Sequence, residues 1–376
     1  MSPSSPAKKQ PQHQQQTQKK VSITEALDLV PALLSISAAG ILALVTGPFR
    51  HRKQRKNPKQ RVARTLLLHV GYAILRKATL RLTMLQLQLI FPKTSTVYRL
   101  FAWRSGISNQ TVELGYGAQG HWIGNREAKN VLVWYHGGGF AVPATRGYFQ
   151  FLSSLPKTLA QAGKDLAVFV LSYTLTPHAS YPTQLQQAVA CLRYILQTGR
   201  APANIYLGGD SAGGNLALGV LSHLSHPHAE IDELAVSEAL GGAVLLAPWT
   251  DLRTEFPPSD IAPLGDLITQ DVAKIWATAY LADRTRDFYT DASSAPAEWW
   301  HGLKVKEVLI LAGENEILLP TIEEFAEKLK AALPSVNFFI GHGECHVAPM
   351  FNLLLGDRTE TEQGKRLKSW LREVVV

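Results

Sequence analysis

Cysteine is nearly missing from this chain of 376 residues: only Cys191 and Cys345 are present, too few for a disulfide framework. No H-E-x-x-H motif and no Cys/His zinc spacing occurs, so neither a metal nor any other cofactor is expected. The run "HLSHPH" at His223–His228 reads as solvated loop. Acidic residues are scarce in one region only: residues 1–64 hold twelve Lys and Arg against Glu25 and Asp28. With a net charge of +8 overall, the rest of the chain is therefore slightly acidic. The basicity belongs to an N-terminal arm, which argues against a body that binds nucleic acid. Charged residues at 18% and hydrophobic ones at 46% exclude a disordered chain, and no internal repeat is visible.

What the arm does contain is one long uncharged run. Residues 1–20 are polar and rich in Gln and Pro, and are expected to be disordered. Then "LVPALLSISAAGILALVTG", Leu29–Gly47, is about the length needed to cross a bilayer. A cleaved signal peptide would need a shorter apolar core and a shorter polar lead. A buried helix of the body is a second alternative. The basic cluster Arg50–Arg61 that follows at once favours a single-pass membrane anchor beside anionic headgroups, spanning residues 21–64 with that cluster. Orientation stays open, because Lys8, Lys9, Lys19 and Lys20 offset the basic cluster, and a glycosylation tripeptide at Asn109 would need the opposite side. The apolar stretch Thr65–Phe91, interrupted by Arg76, Lys77 and Arg81, predicts an amphipathic helix or helix pair, and residues 65–111 as a whole are expected to form a cap or connector.

From residue 112 onward, short β-rich runs alternate with helix-compatible segments. The runs are Val131–Tyr135, Leu166–Tyr173, Asn204–Gly209, Gly242–Trp249, Glu307–Gly313 and Val336–Gly341. Thr183–Gln197, Ala212–Leu224 and Ile322–Leu333 suit helices. Apolar strands separated by helices predict an α/β domain over 112–376, with a mostly parallel sheet covered on both faces. The irregular stretch 251–301 predicts an insertion over that sheet.

The candidate chemistry lies just after the expected strands, where ligands bind in such sheets. "GDSAG", Gly209–Gly213, fits the G-x-S-x-G pattern at a strand-to-helix turn, which would raise Ser211 as a nucleophile. "HGGG" at His136–Gly139 offers unhindered backbone amides. Those of Gly137 and Gly138, with Ala212, are the expected oxyanion hole. Downstream follow "GENEIL", with Glu314 and Glu316, and "GHGECHVAP", with His342 and His346, in the order that Ser–acid–His catalysis takes in such folds.

In these motifs the sequence resembles the α/β-hydrolase esterases of the hormone-sensitive-lipase type, from Val131 to the C-terminus. "SYTLTPHASYPTQLQQAVACLRYI" (Ser172–Ile195) and "LLAPWTDL" (Leu245–Leu252) are similar to further segments of that family. "TLTPHASYPTQL" (Thr174–Leu185), "EWWHGLKVKEVLILAGENEILL" (Glu298–Leu319) and the N-terminal anchor look most like a fungal subgroup that includes a membrane-bound steryl acetyl hydrolase. The resemblance implies Ser211, Glu316 and His346 as the catalytic set, with Glu316 where most relatives carry Asp. It implies hydrolysis of a short-acyl ester of a hydrophobic alcohol, such as a sterol or fungal secondary metabolite, through an acyl-enzyme. An endoplasmic-reticulum membrane is the expected location. Hydrolysis of a formamide, or a non-hydrolytic cyclisation or binding role, stays as the alternative. The oligomeric state is not legible.

Overall fold

A computed structural model describes residues 19–56, 62–253 and 265–376. Most of the polar tail, the end of the basic cluster and residues 254–264 thus lie outside the described residues. Four helices open the chain: α1 (Ile23–Lys56), α2 (Leu66–Arg81), α3 (Met84–Ile90) and α4 (Thr94–Ser105). Thr65 caps α2 by accepting from the Leu68 amide. Thr83 and Gln86 close a reciprocal capping box at α3, which explains why the apolar run breaks into a helix pair. The chain then enters an eight-stranded sheet in the order β1-β2-β4-β3-β5-β6-β7-β8.

The parallel part of the sheet is made of the six runs expected from the sequence: β3 (Asn130–Tyr135), β4 (Leu166–Ser172), β5 (Ile205–Asp210), β6 (Gly242–Leu246), β7 (Val308–Gly313) and β8 (Val336–Gly341). Two short strands, β1 (Thr111–Glu113) and β2 (Gln119–Ile123), extend it antiparallel along the free edge of β4.

Side chains alternate across the sheet because the strand period is two. Val131, Val133 and Tyr135 of β3 pack on one face with α6 (Thr183–Gln197) and α7 (Ala212–Ser225). Leu132 and Trp134 pack on the other with α5 (Arg146–Ala160) and the C-terminal helix Glu362–Val374. Each β3 residue is fully buried, as expected of a strand covered on both sides. Both cysteines are buried and free.

The stretch 251–301 is less irregular than its composition suggests. It contains α8 (Gln270–Leu281), capped by Thr269, whose Val272, Ala273 and Trp276 lie over the carboxyl ends of the strands. The chain continues through α9 (Leu319–Ala332), α10 (Ala348–Leu355) and α11, the C-terminal helix.

Candidate active site

Ser211 stands between β5 and α7 with φ 52° and ψ −120°, a conformation that costs a non-glycine residue stability. Neighbouring backbone holds it there. The Ser211 amide donates to the Leu246 carbonyl and its carbonyl accepts from the Trp249 amide, each at 3.0 Å. Space for the bend exists only because the flanking residues are glycines. A Cβ built on Gly213 would lie 1.8 Å from the Tyr135 carbonyl oxygen at the end of β3. That neighbour is backbone and cannot yield. Gly213→Ala is therefore expected to destabilise the fold by at least about 3 kcal/mol. Denaturant unfolding would measure it, and a loss under about 1 kcal/mol would contradict the tight helix–strand contact.

Because β3 and β5 are neighbours, with Tyr135 opposite Gly209, the glycine loop after β3 comes to rest beside Ser211. Asp210 fixes that loop. Its carboxylate accepts from the Trp134 indole (3.0 Å), the Gly137 amide (3.1 Å) and the Tyr148 hydroxyl (2.5 Å). Burial raises the Asp210 pKa to about 6 although these donors oppose the shift. The expected oxyanion hole needs one correction here. The Gly137 amide is already committed to Asp210, so it has no free N–H to offer. Gly138 and Gly139 follow with φ of 92° and 57°, and no described residue accepts from either amide. Ala212 opens α7, where first-turn amides have no acceptor within the helix.

The acid and the histidine come from the two strands at the far end of the sheet. Glu316 sits three residues beyond β7 and is fully buried. One of its oxygens accepts from the Gly313 amide at 2.7 Å, and the other lies 3.5 Å from Nδ1 of His346. His346 lies between β8 and α10 and is also buried. The long separation is usual before substrate is bound, since such bonds tighten in the complex. Of the two other candidates, His342 is 81% exposed and faces Glu314 at 3.7 Å, so this pair lies away from the buried set.

The sequence did not point to Asp266. This buried residue accepts from the amides of His346 (3.1 Å), Ile317 (2.9 Å) and Leu267 (2.8 Å), tying the histidine and acid loops together. Its pKa is raised to about 6, chiefly by burial. Burial alone would lower the pKa of His346. The hydrogen bond and charge of Glu316, aided by Asp266 and Asp210, outweigh it and raise the value above 6.5.

Ser211 and His346 line one cavity of about 70 Å³ with Gly138, Gly139 and the hydroxyl-bearing Thr145 and Tyr148. Apart from Thr79 its remaining wall is apolar: Trp249, Val272 and Trp276 on one side, Leu75 and Ala78 of α2 with Phe91 after α3 on the other. The helix pair before the sheet thus builds part of the site.

Comparison with known proteins agrees with this architecture. Residues 132–350 match the family described as alpha/beta hydrolase fold. Steryl acetyl hydrolase 1 of Saccharomyces cerevisiae is 27% identical over 244 residues, covering 59% of this chain and 54% of that protein. An acetyl-hydrolase of Streptomyces hygroscopicus is 27% identical over 197 residues, covering 51% and 59%. The chain thus spans little more than half the length of these curated relatives. An esterase from the bacterial hormone-sensitive lipase family has the same fold, with a TM-score of 0.61 at 23% identity over 84% of this chain and 100% of its own.

Proposed function

The chain belongs to the alpha/beta hydrolase fold family, and from that premise we propose that it is a serine hydrolase acting on a carboxylic ester. The observation that carries the reading is a strained, buried serine sharing one cavity with an acid-paired histidine and unpartnered amides. Ser211 Oγ attacks the ester carbonyl while His346 Nε2 takes its proton. The oxyanion that forms is held by N–H groups of Gly138, Gly139 and Ala212. Collapse expels the alcohol, which leaves with the proton from His346. Water, deprotonated by the same imidazole, then frees the acid from the acyl-serine. Glu316 orients the imidazole and stabilises its charged form.

The size of the cavity bears on the acyl group. At about 70 Å³ it is less than half the ~150 Å³ of an engineered apolar cavity that holds benzene. A short acyl group such as acetyl fits this space. A bulky hydrophobic alcohol must lie in the mouth, along Phe91 and α2. The names of the steryl and other acetyl hydrolases among its relatives support the same choice. The apolar α1 and the basic residues after it support association with a membrane, from which such an ester would be drawn.

A fluorophosphonate probe tests the reading directly. Wild-type protein is expected to be labelled on Ser211 and Ser211→Ala to stay unlabelled. Well-folded wild type that takes no label would remove the nucleophile from the account and leave a binding role.

A further inference from the structure

Length and composition let α1 cross a bilayer, but its packing places it along the protein instead. α1 runs antiparallel to α2 over nearly its whole apolar length. Asp28 pairs with Arg81 at one end, and Glu25 accepts from the Thr83 hydroxyl. Gly40 meets Ile74 in the middle, and Gly47 meets Leu66 at the other end. The opposite face of α2 rests on the catalytic body: Gly71 against Leu355, the Tyr72 hydroxyl donating to Asn352 at 2.6 Å, and Arg76 donating to the Asp266 carbonyl. α2 is therefore held between α1 and the body.

Two features identify what covers the outer face. Nineteen of the twenty-two large apolar side chains that are exposed among the described residues fall between Ile23 and Ile107, ten of them on α1. This concentration sets the N-terminal layer apart from the rest of the surface, which has the ordinary scatter of single apolar groups. Positive charge brackets the helix, with Lys19 and Lys20 before it and Arg50 and Arg52 at its far end, while no charge lies between Asp28 and Arg50. Four lysines before the run against seven basic residues from Arg50 to Arg61 leave a spanning helix some orientation bias, but charge at both ends has another fit. It suits a helix whose two ends sit in the same layer of anionic headgroups.

We propose that α1 lies in the plane of one leaflet of an anionic bilayer and does not cross it. A helix standing across the membrane would carry α2 into the hydrocarbon with it, along with Arg76, Lys77 and the Asp266 loop behind them. Burying those charges in lipid is unfavourable, whereas the flat seat leaves the cations at headgroup level. α2 forms one wall of the cavity and α1 covers α2, so this seat also sets the cavity against the leaflet. Entry of a lipophilic ester along α2 and Phe91 is then a short path out of the membrane, a consequence that rests on the ester-hydrolase reading. The placement of α1 does not.

The test uses the full chain in microsomes, with a different epitope tag at each terminus and protease added before and after detergent. An in-plane α1 puts both tags on one side, so both are digested together or both are protected until detergent is added. One tag digested and the other protected would overturn the proposal. So would recovery of the chain in the soluble fraction, or failure of purified chain to float with phosphatidylcholine vesicles containing phosphatidylserine. Fluorophosphonate labelling of the same microsomes separates the two readings. Labelled protein with tags on opposite sides rejects the in-plane seat alone, and unlabelled protein with tags on one side rejects the hydrolase alone.

Discussion

Ser211→Ala is expected to lower kcat on a nitrophenyl acetate by roughly 10⁴–10⁶-fold while leaving the circular dichroism spectrum unchanged. The size follows from the proposed mechanism: without Oγ no acyl-enzyme would form, and only the polarising amides would remain. The fold should survive, because no described residue hydrogen-bonds the Ser211 hydroxyl. Its companion Ser211→Gly should be equally inactive but more stable. At φ 52° and ψ −120° a residue with a Cβ bears strain of about 1–3 kcal/mol, which alanine retains and glycine does not. Part of the relief is lost to the greater freedom of glycine in the unfolded chain, about 0.5–1 kcal/mol. Glycine should therefore exceed alanine in unfolding free energy by up to about 2 kcal/mol. Equal stability of the two variants would hold the strain at the elbow to about 0.5–1 kcal/mol, the size of the glycine offset. Activity in Ser211→Ala within tenfold of wild type would remove this serine from the reaction.

Much of this site was legible because each of its parts follows an apolar strand, and strand ends in a parallel sheet converge. Ser211 could be read from a glycine pattern only where a strand ran into a helix. His346 and Glu316 needed the order of elements as well. What escaped was of another kind. The strand β2 reads "QGHWI", with no apolar alternation. It is placed by tertiary contact: Gly120 lies so close over Phe169 of the neighbouring β4 that a built Cβ would be 1.9 Å from the ring. No local pattern reveals which amide of "HGGG" a buried carboxylate will claim, so the role of Gly137 went unseen until Asp210 was located beneath it. Asp266 left no signal either, since its value lies in meeting two amides, of Ile317 and His346, from loops distant in sequence. On α1, the spacing of Ala32, Ile36, Gly40, Ala43 and Gly47 marks the face that packs inward, but uniform hydrophobicity around the helix conceals it. Composition proposes a span for such a helix, and contact decides its direction.

The two buried carboxylates near His346 compete for one role, and pH separates them. Glu316→Gln should lower kcat/KM by about 10³–10⁴-fold, because an amide neither fixes the tautomer nor stabilises the imidazolium. Its profile should also move. With His346 as the base of the proposed mechanism, activity should rise with pH as the imidazole loses its proton, above the ordinary 6.5 in the wild type. Burial opposes the charged form, and Glu316 makes the first of the contributions that overcome it. Removing that carboxylate leaves burial facing only Asp266 and Asp210, so the acid limb should shift to lower pH even as the rate falls. Asp266 and Asp210, each with a pKa raised to about 6, titrate in the same range, so the limb belongs to the group as a whole and its displacement is the quantity to compare. Asp266→Asn offers the contrast. Its oxygens face backbone amides rather than the imidazole, so it should cost stability more than rate and move the limb less. If Asp266→Asn instead shifts the limb further than Glu316→Gln, the orienting acid is Asp266. The glutamate after β7 would then be a structural ligand of the Gly313 amide.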